Sequence, residues 1–149
     1  MQLERLQVEF DGPVARVWMN RPDARNAFDG LMTTELRKTL FDLRTVDAVR
    51  VIVIGGRGPA FCAGADLQWM KATVAFSHEE NLREAQALAD LFFTVYESPK
   101  PIVARVHGAA SAAERGWWPP PTYRWRPWAR SSGSPRYGSA SCPRSSRPT

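Results

Sequence analysis

Hydrophobic positions run first with period two and then with helical spacing. Leu6–Phe10 and Val14–Met19 are short β-rich runs flanking Asp11-Gly12-Pro13, a turn signal, and they predict a hairpin. Arg21–Phe28 is polar and predicts a loop. Met32, Leu36, Leu40 and Leu43 then recur at helical spacing, with Asp29 placed to act as N-cap. Val49–Ile54 reads VRVIVI, which is nearly continuous β-branched sequence, as expected of a strand covered on both faces. Gly55–Ala65 is rich in Gly and Ala. Leu82, Ala85, Leu88, Ala89, Phe92, Val95 and Tyr96 form an apolar stripe on a helix of about five turns, stopped by Ser98-Pro99-Lys100-Pro101. Ile102–Val106 is a further buried strand, ending at His107-Gly108-Ala109-Ala110. The order implies an α/β fold with a parallel sheet and right-handed crossovers.

After Ala110 the pattern stops. Residues 111–149 contain no Leu, Ile, Val, Met or Phe, while 18 of the 39 are Ser, Pro or Gly. No core forms without aliphatic side chains, so the tail is expected to be disordered. It also explains the charge. The 149-residue chain carries a formal +5, which hints at an anionic partner. Seven arginines and one acid, Glu114, give the tail +6, and residues 1–110 are left with −1.

Three readings of the tail compete: an Arg/Trp-rich arm that binds nucleic acid, a plain linker, and a shifted reading frame. The letters favour the third. Tryptophan has one codon, so Trp117-Trp118-Pro119 is encoded by TGG TGG CCN. Read one base earlier, this gives (Leu/Met/Val)-Val-Ala, and the whole tail reads through without a stop as FGGGAGLVAAPD and onward, with favourable synonymous bases. Residues 1–110 are thus expected to be part of a domain and 111–149 a frameshifted tail. A basic tail on an α/β fragment, binding nucleic acid, is the alternative.

Other features bound the function. Cys62 and Cys142 are far apart, which makes neither a disulfide framework nor a metal-ligand pair, so no metal is expected. No apolar run approaches a membrane span and none near Met1 resembles a signal peptide, which leads to a cytoplasmic expectation with no membrane partner. Gly55-Gly56-Arg57-Gly58 follows a strand, but its glycines lack the GxGxxG spacing of a dinucleotide site. The informative segment is Gly58–Leu67, GPAFCAGADL. Small residues let a ligand approach the backbone, and N–H groups at such a turn can face an anion or a developing oxyanion. The competing structural reading is a tight turn capped by Asp66.

Three stretches carry a resemblance: RPDARNAF at 21–28, FCAGADL at 61–67, and KPIVARVHG at 100–108. In this order and spacing the chain resembles the crotonase (enoyl-CoA hydratase/isomerase) superfamily over 1–110, and the decoded FGGG matches the family's next motif. CAGADLQWM, with the later decoded segment, is most similar to methylglutaconyl-CoA hydratase-like members. The resemblance implies the N-terminal part of a crotonase-like ββα spiral. It implies an acyl-CoA thioester as substrate and partner, with no separate cofactor. Water adds across an enoyl double bond while two backbone N–H groups hold the enolate oxygen. One N–H is assigned by resemblance to Ala63. Asp23, Ala24 and Arg25 match the loop at the adenine and phosphate end of coenzyme A. Ala63, Gly64, Ala65, Asp66 and Leu67 match positions along the pantetheine arm and adenine.

The departures lie in the tail. The second oxyanion donor matches position 113, which is Ala113 in an unrelated Ser-Ala-Ala-Glu-Arg context. Neither catalytic glutamate of the hydratases has a counterpart, and Glu114 stands in the wrong context. The chain is therefore expected to be inactive. It is also expected to lack the later helices that build the family's trimers and hexamers, and to leave an apolar helix face exposed. Cys62 reads as a packing residue, His107 as structural, and His78 as a solvent-facing loop residue. Trp69 and Met70 read equally as core or as acyl-pocket lining.

Overall fold

The computed structural model describes residues 3–110. The frameshift and disorder expected of 111–149, and Ala113, Glu114 and Cys142 with them, lie outside the described residues.

Four strands form one sheet in the order β1-β2-β3-β4: Leu6–Asp11, Val14–Met19, Val51–Gly56 and Ile102–Arg105. The hairpin turns at Gly12, whose φ is +53°. It pairs Leu6 with Met19 and Asp11 with Val14, antiparallel. β2, β3 and β4 run parallel, with Val14 opposite Val51 and Ile52 opposite Ile102. Helix α1 (Gly30–Leu43) joins β2 to β3, and helices α2 (Leu67–Thr73) and α3 (His78–Tyr96) join β3 to β4. This is the expected α/β architecture. β3 begins two residues later than the β-branched run, because Val49 sits in a turn with its N–H on the Val46 carbonyl at 2.9 Å.

The core lies on one face of the sheet. Ala15, Val17, Met19, Ile52 and Ile54 meet Met32, Leu36, Leu40 and Leu43 of α1, all buried. α1 begins where Asp29 accepts the Met32 N–H at 2.8 Å, the predicted cap. At its far end Lys100 Nζ donates to the Leu43 and Val46 carbonyls at 2.7 and 2.6 Å, where a cation offsets the helix dipole.

α3 carries the expected stripe and leaves much of its apolar face exposed. Its fully buried residue is Leu91, flanked by Leu88 and Val95, whereas Leu82 is 59% and Tyr96 78% exposed, and Ala85 and Ala89 are also exposed. α1 covers only the strip around Leu91, so a helical period reveals an apolar face without saying how much of it is covered. His78 is exposed as expected but belongs to α3 as its first residue, preceded by a Ser77–Glu80 capping box.

Trp18 lies on the opposite face of the sheet. Its indole N–H donates to Glu9 at 2.8 Å, and the Arg57 and Arg105 guanidiniums stand 4.5 and 5.3 Å from the ring. Gly55 opposite leaves room for it, since an added Cβ would fall 2.4 Å from the ring. Gly55 of the Gly55–Gly58 run thus serves packing, which leaves the dinucleotide reading without support.

Candidate active-site cleft

The loop between β2 and α1 is built on Asn26. Pro22–Ala24 make one 3-10 turn, after which Arg25 and Asn26 both take left-handed φ, +50° and +55°. Asn tolerates that conformation better than most side chains. Its amide is fully buried and bonded at both ends. Oδ1 accepts the Arg21 N–H at 2.9 Å, and Nδ2 donates to the Arg57 and Ala60 carbonyls at 2.9 and 2.8 Å. Within RPDARNAF the sequence alone does not mark Asn26 as the residue that holds the loop. A short polar side chain amid alternating small residues was the available signal.

The FCAGADL turn lies against this loop. Ala63 N–H donates to the Arg25 carbonyl at 2.9 Å, Phe28 N–H to the Gly64 carbonyl at 2.8 Å, and Asp66 N–H to the Phe28 carbonyl at 2.8 Å. The Ala63 N–H is therefore committed inside the fold, which corrects its assignment as the oxyanion donor. The Gly64–Ala65 peptide behaves differently. In a trans peptide the carbonyl and the N–H point opposite ways. The Gly64 carbonyl faces Phe28, so the Ala65 N–H faces away from it, and among the described residues it has no acceptor. Gly64 has φ +100°, a conformation that favours glycine, and this sets the peptide's orientation.

Charges hold the same place. Asp66 caps α2: Oδ1 accepts the Gln68 and Trp69 N–H groups at 2.7 and 3.1 Å, while Oδ2 lies 2.6 Å from Arg21 Nη1. The Trp69 N–H first, with Arg21 and Gln68, holds its carboxyl below the usual range despite burial. Arg21 Nη1 also lies 3.3 Å from Asp29 Oδ2, as does Arg5 Nε. The turn capped by Asp66 is thus the observed one, and its capping N–H groups are taken by that carboxylate. Cys62 is buried, and burial pushes its thiol pKa up, as suits a packing residue.

A cleft of about 550 Å³ opens between the two segments, lined by Asp23, Ala24, Ala63, Ala65, Asp66 and Leu67 together with Arg5, Arg21, Ala27 and Gln68. Six of the eight expected site residues are brought together here. Gly64 is buried behind the turn, and Arg25 is exposed with no side-chain partner among the described residues. His107 Nε2 meets the Gly58 carbonyl at 2.8 Å, a structural contact. Trp69 is half-buried and Met70 49% exposed; neither belongs to the core cluster or lines this cleft. No three His, Cys, Asp or Glu side chains cluster as metal ligands among the described residues, and none of their helices is long and apolar enough to cross a membrane.

Comparison with known proteins places this geometry. The profile described as enoyl-CoA hydratase/isomerase matches residues 9–115. The chain belongs to the enoyl-CoA hydratase/isomerase family. It is 43% identical over 111 residues to a Thermus thermophilus protein named for enoyl-CoA hydratase, and 36% over 112 residues to one from Mycobacterium tuberculosis. These alignments take in 74% and 75% of this chain but only 44% and 43% of the relatives, so the chain spans less than half their length. An enoyl-CoA hydratase structure from Shewanella pealeana superposes with a TM-score of 0.71 at 35% identity, covering 73% of this chain and 41% of that one. A crotonase structure from Legionella pneumophila gives 0.69 at 41% identity, covering 73% and 42%. The basic tail beyond residue 115 lies outside the family match.

Proposed function

We propose that residues 1–110 form the thioester-binding part of an enoyl-CoA hydratase-type site and that the Ala65 N–H, not that of Ala63, is one oxyanion donor. The observation that carries this reading is the Gly64–Ala65 peptide at the cleft: its carbonyl is fastened to Phe28 and its N–H is unclaimed among the described residues. A thioester oxygen that gains charge as an enolate is the acceptor such a preorganised donor suits, and one donor of this kind contributes on the order of 3 kcal/mol to the transition state. Asp23 and Ala24 line the side of the cleft assigned to the adenine and phosphate end of coenzyme A, and the next residue, Arg25, is an exposed cation outside the lining that suits a phosphate. Asp66 contributes by shaping the turn, since its carboxylate is already bonded.

The reading includes a hydratase-type site, in the cytoplasm, that is inactive with residues 1–149 alone. A second donor and a carboxylate to manage water and proton have no counterparts in residues 1–110, and the actual 111–149 sequence does not supply the motif that carries them. The frameshift assigned to the tail accounts for this, and the family likeness ending at 115 supports it. The test is calorimetric titration of the 149-residue chain with crotonyl-CoA, alongside hydration at high protein concentration. Binding without turnover is expected. Failure to bind crotonyl-CoA would overturn the site, and robust turnover would overturn the inactivity. The nucleotide sequence across codons 108–120 tests the frame.

A further inference from the structure

We infer that Arg21 is a positioning residue for the thioester, directing the Ala65 N–H through its grip on Asp66 across the cleft. The inference rests on the role proposed for Ala65. A single nitrogen, Nη1, donates to the Ala27 carbonyl at 3.2 Å and forms ion pairs with Asp66 Oδ2 at 2.6 Å and Asp29 Oδ2 at 3.3 Å. Arg21 is itself anchored, because its backbone N–H is held by buried Asn26. The guanidinium thereby links the N-cap of α1 to the N-cap of α2.

Two consequences follow for the donor. Ala65 lies between two fastened points, the Gly64 carbonyl and the Asp66 N–H, both on Phe28. Asp66 is fixed a second time through its carboxylate, which removes the freedom of the Ala65–Asp66 link to turn. The second consequence is electrostatic. Asp29 and Asp66 place two carboxylates beside the cleft, and Arg21 contacts both. Without Arg21 the one cation left beside them is Arg5, 3.3 Å from Asp29, while Asp66 keeps only its two capping N–H groups, so an enolate forming at Ala65 would face more net negative charge. Arg21 acts without touching the reacting atoms.

The test uses the full 149-residue chain and a conjugated dienoyl-CoA, whose absorption moves to longer wavelength when the thioester oxygen is polarised. Arg21→Met removes the charge and all three contacts. Arg21→Lys keeps the charge and offers three donors. Arg21→Met is expected to lose more than about half of the red shift while Kd changes less than about threefold, with Arg21→Lys restoring part of the shift. A full red shift in Arg21→Met would overturn the positioning role and leave the thioester reading standing. If the wild-type chain binds without any red shift, the thioester reading fails, and Arg21 is then judged on amide NMR signals. Displacement of the Ala65, Gln68 and Trp69 amides in Arg21→Met, with Ile52 and Ile54 unmoved, upholds it as the residue that positions this turn. Unmoved Ala65 and Gln68 amides overturn it.

Discussion

Replacing Asn26 is expected to be the most damaging single change in the loop that borders the cleft. Asn26→Ala strands the Ala60 carbonyl in a buried position, at about 2 kcal/mol, and frees the Arg57 carbonyl and Arg21 N–H in partly wetted positions, at about 0.5 kcal/mol each. Alanine at φ +55° adds about 1 kcal/mol. The expected loss is about 4 kcal/mol, a large share of the ~5–15 kcal/mol that holds a domain together. Asn26→Gly retains the backbone freedom and should cost about 1 kcal/mol less, which isolates the conformational part. Asn26→Asp keeps the acceptor for Arg21 but turns a carboxylate toward two carbonyls, so it should be at least as harmful as alanine. Urea unfolding followed by far-UV circular dichroism measures all three. A loss under about 1 kcal/mol for Asn26→Ala at unchanged m-value, or wild-type stability for Asn26→Asp, would refute the reasoning.

Three further outcomes are expected. Gly108 has φ +56° and an added Cβ would fall 2.1 Å from the Pro59 carbonyl oxygen, so Gly108→Ala should lower Tm by more than about 8 °C in a thermal melt. Asp66 has its folded pKa depressed below the ordinary 3.8, so its contribution is present above that value and is lost as pH falls through the lower folded value. Urea midpoints measured down through this acid range should fall with a shallower slope in Asp66→Asn than in wild type. Buried Cys62, with its thiol pKa raised, should react with iodoacetamide only as the chain unfolds; in a Cys142→Ser background, rapid labelling under native conditions would contradict its packing role.

Local features were legible and long-range ones were not. Asp29 and Asp66 read as caps because a short acceptor stands just before a helix start, and the hairpin read from its turn and alternation. The start of α2 is legible from Asp66, but its length is not, since seven residues alternating Gln68, Lys71 and apolar groups give too short a period. α3 showed an apolar face, but only the position of α1 decides that Leu91 is buried. The choice between Ala63 and Ala65 was beyond the sequence for a similar reason. Which N–H remains free depends on Arg25 and Phe28, partners from a distant loop that no spacing within FCAGADL reveals. The role of Arg21 is not legible in the sequence, because its two carboxylates are brought together only by the fold.

Trp18 offers an optical use of the fold. Its ring stands on β2, donates to Glu9 of β1, lies over Gly55 of β3 and is flanked by Arg105 of β4. Its immediate surroundings therefore draw on every strand of the sheet, with two fixed cations close enough to shift the energy of its excited state. In a chain whose other tryptophans are replaced by phenylalanine, its emission wavelength becomes a gauge of sheet assembly. Detaching an outer strand changes the colour before the helices unwind.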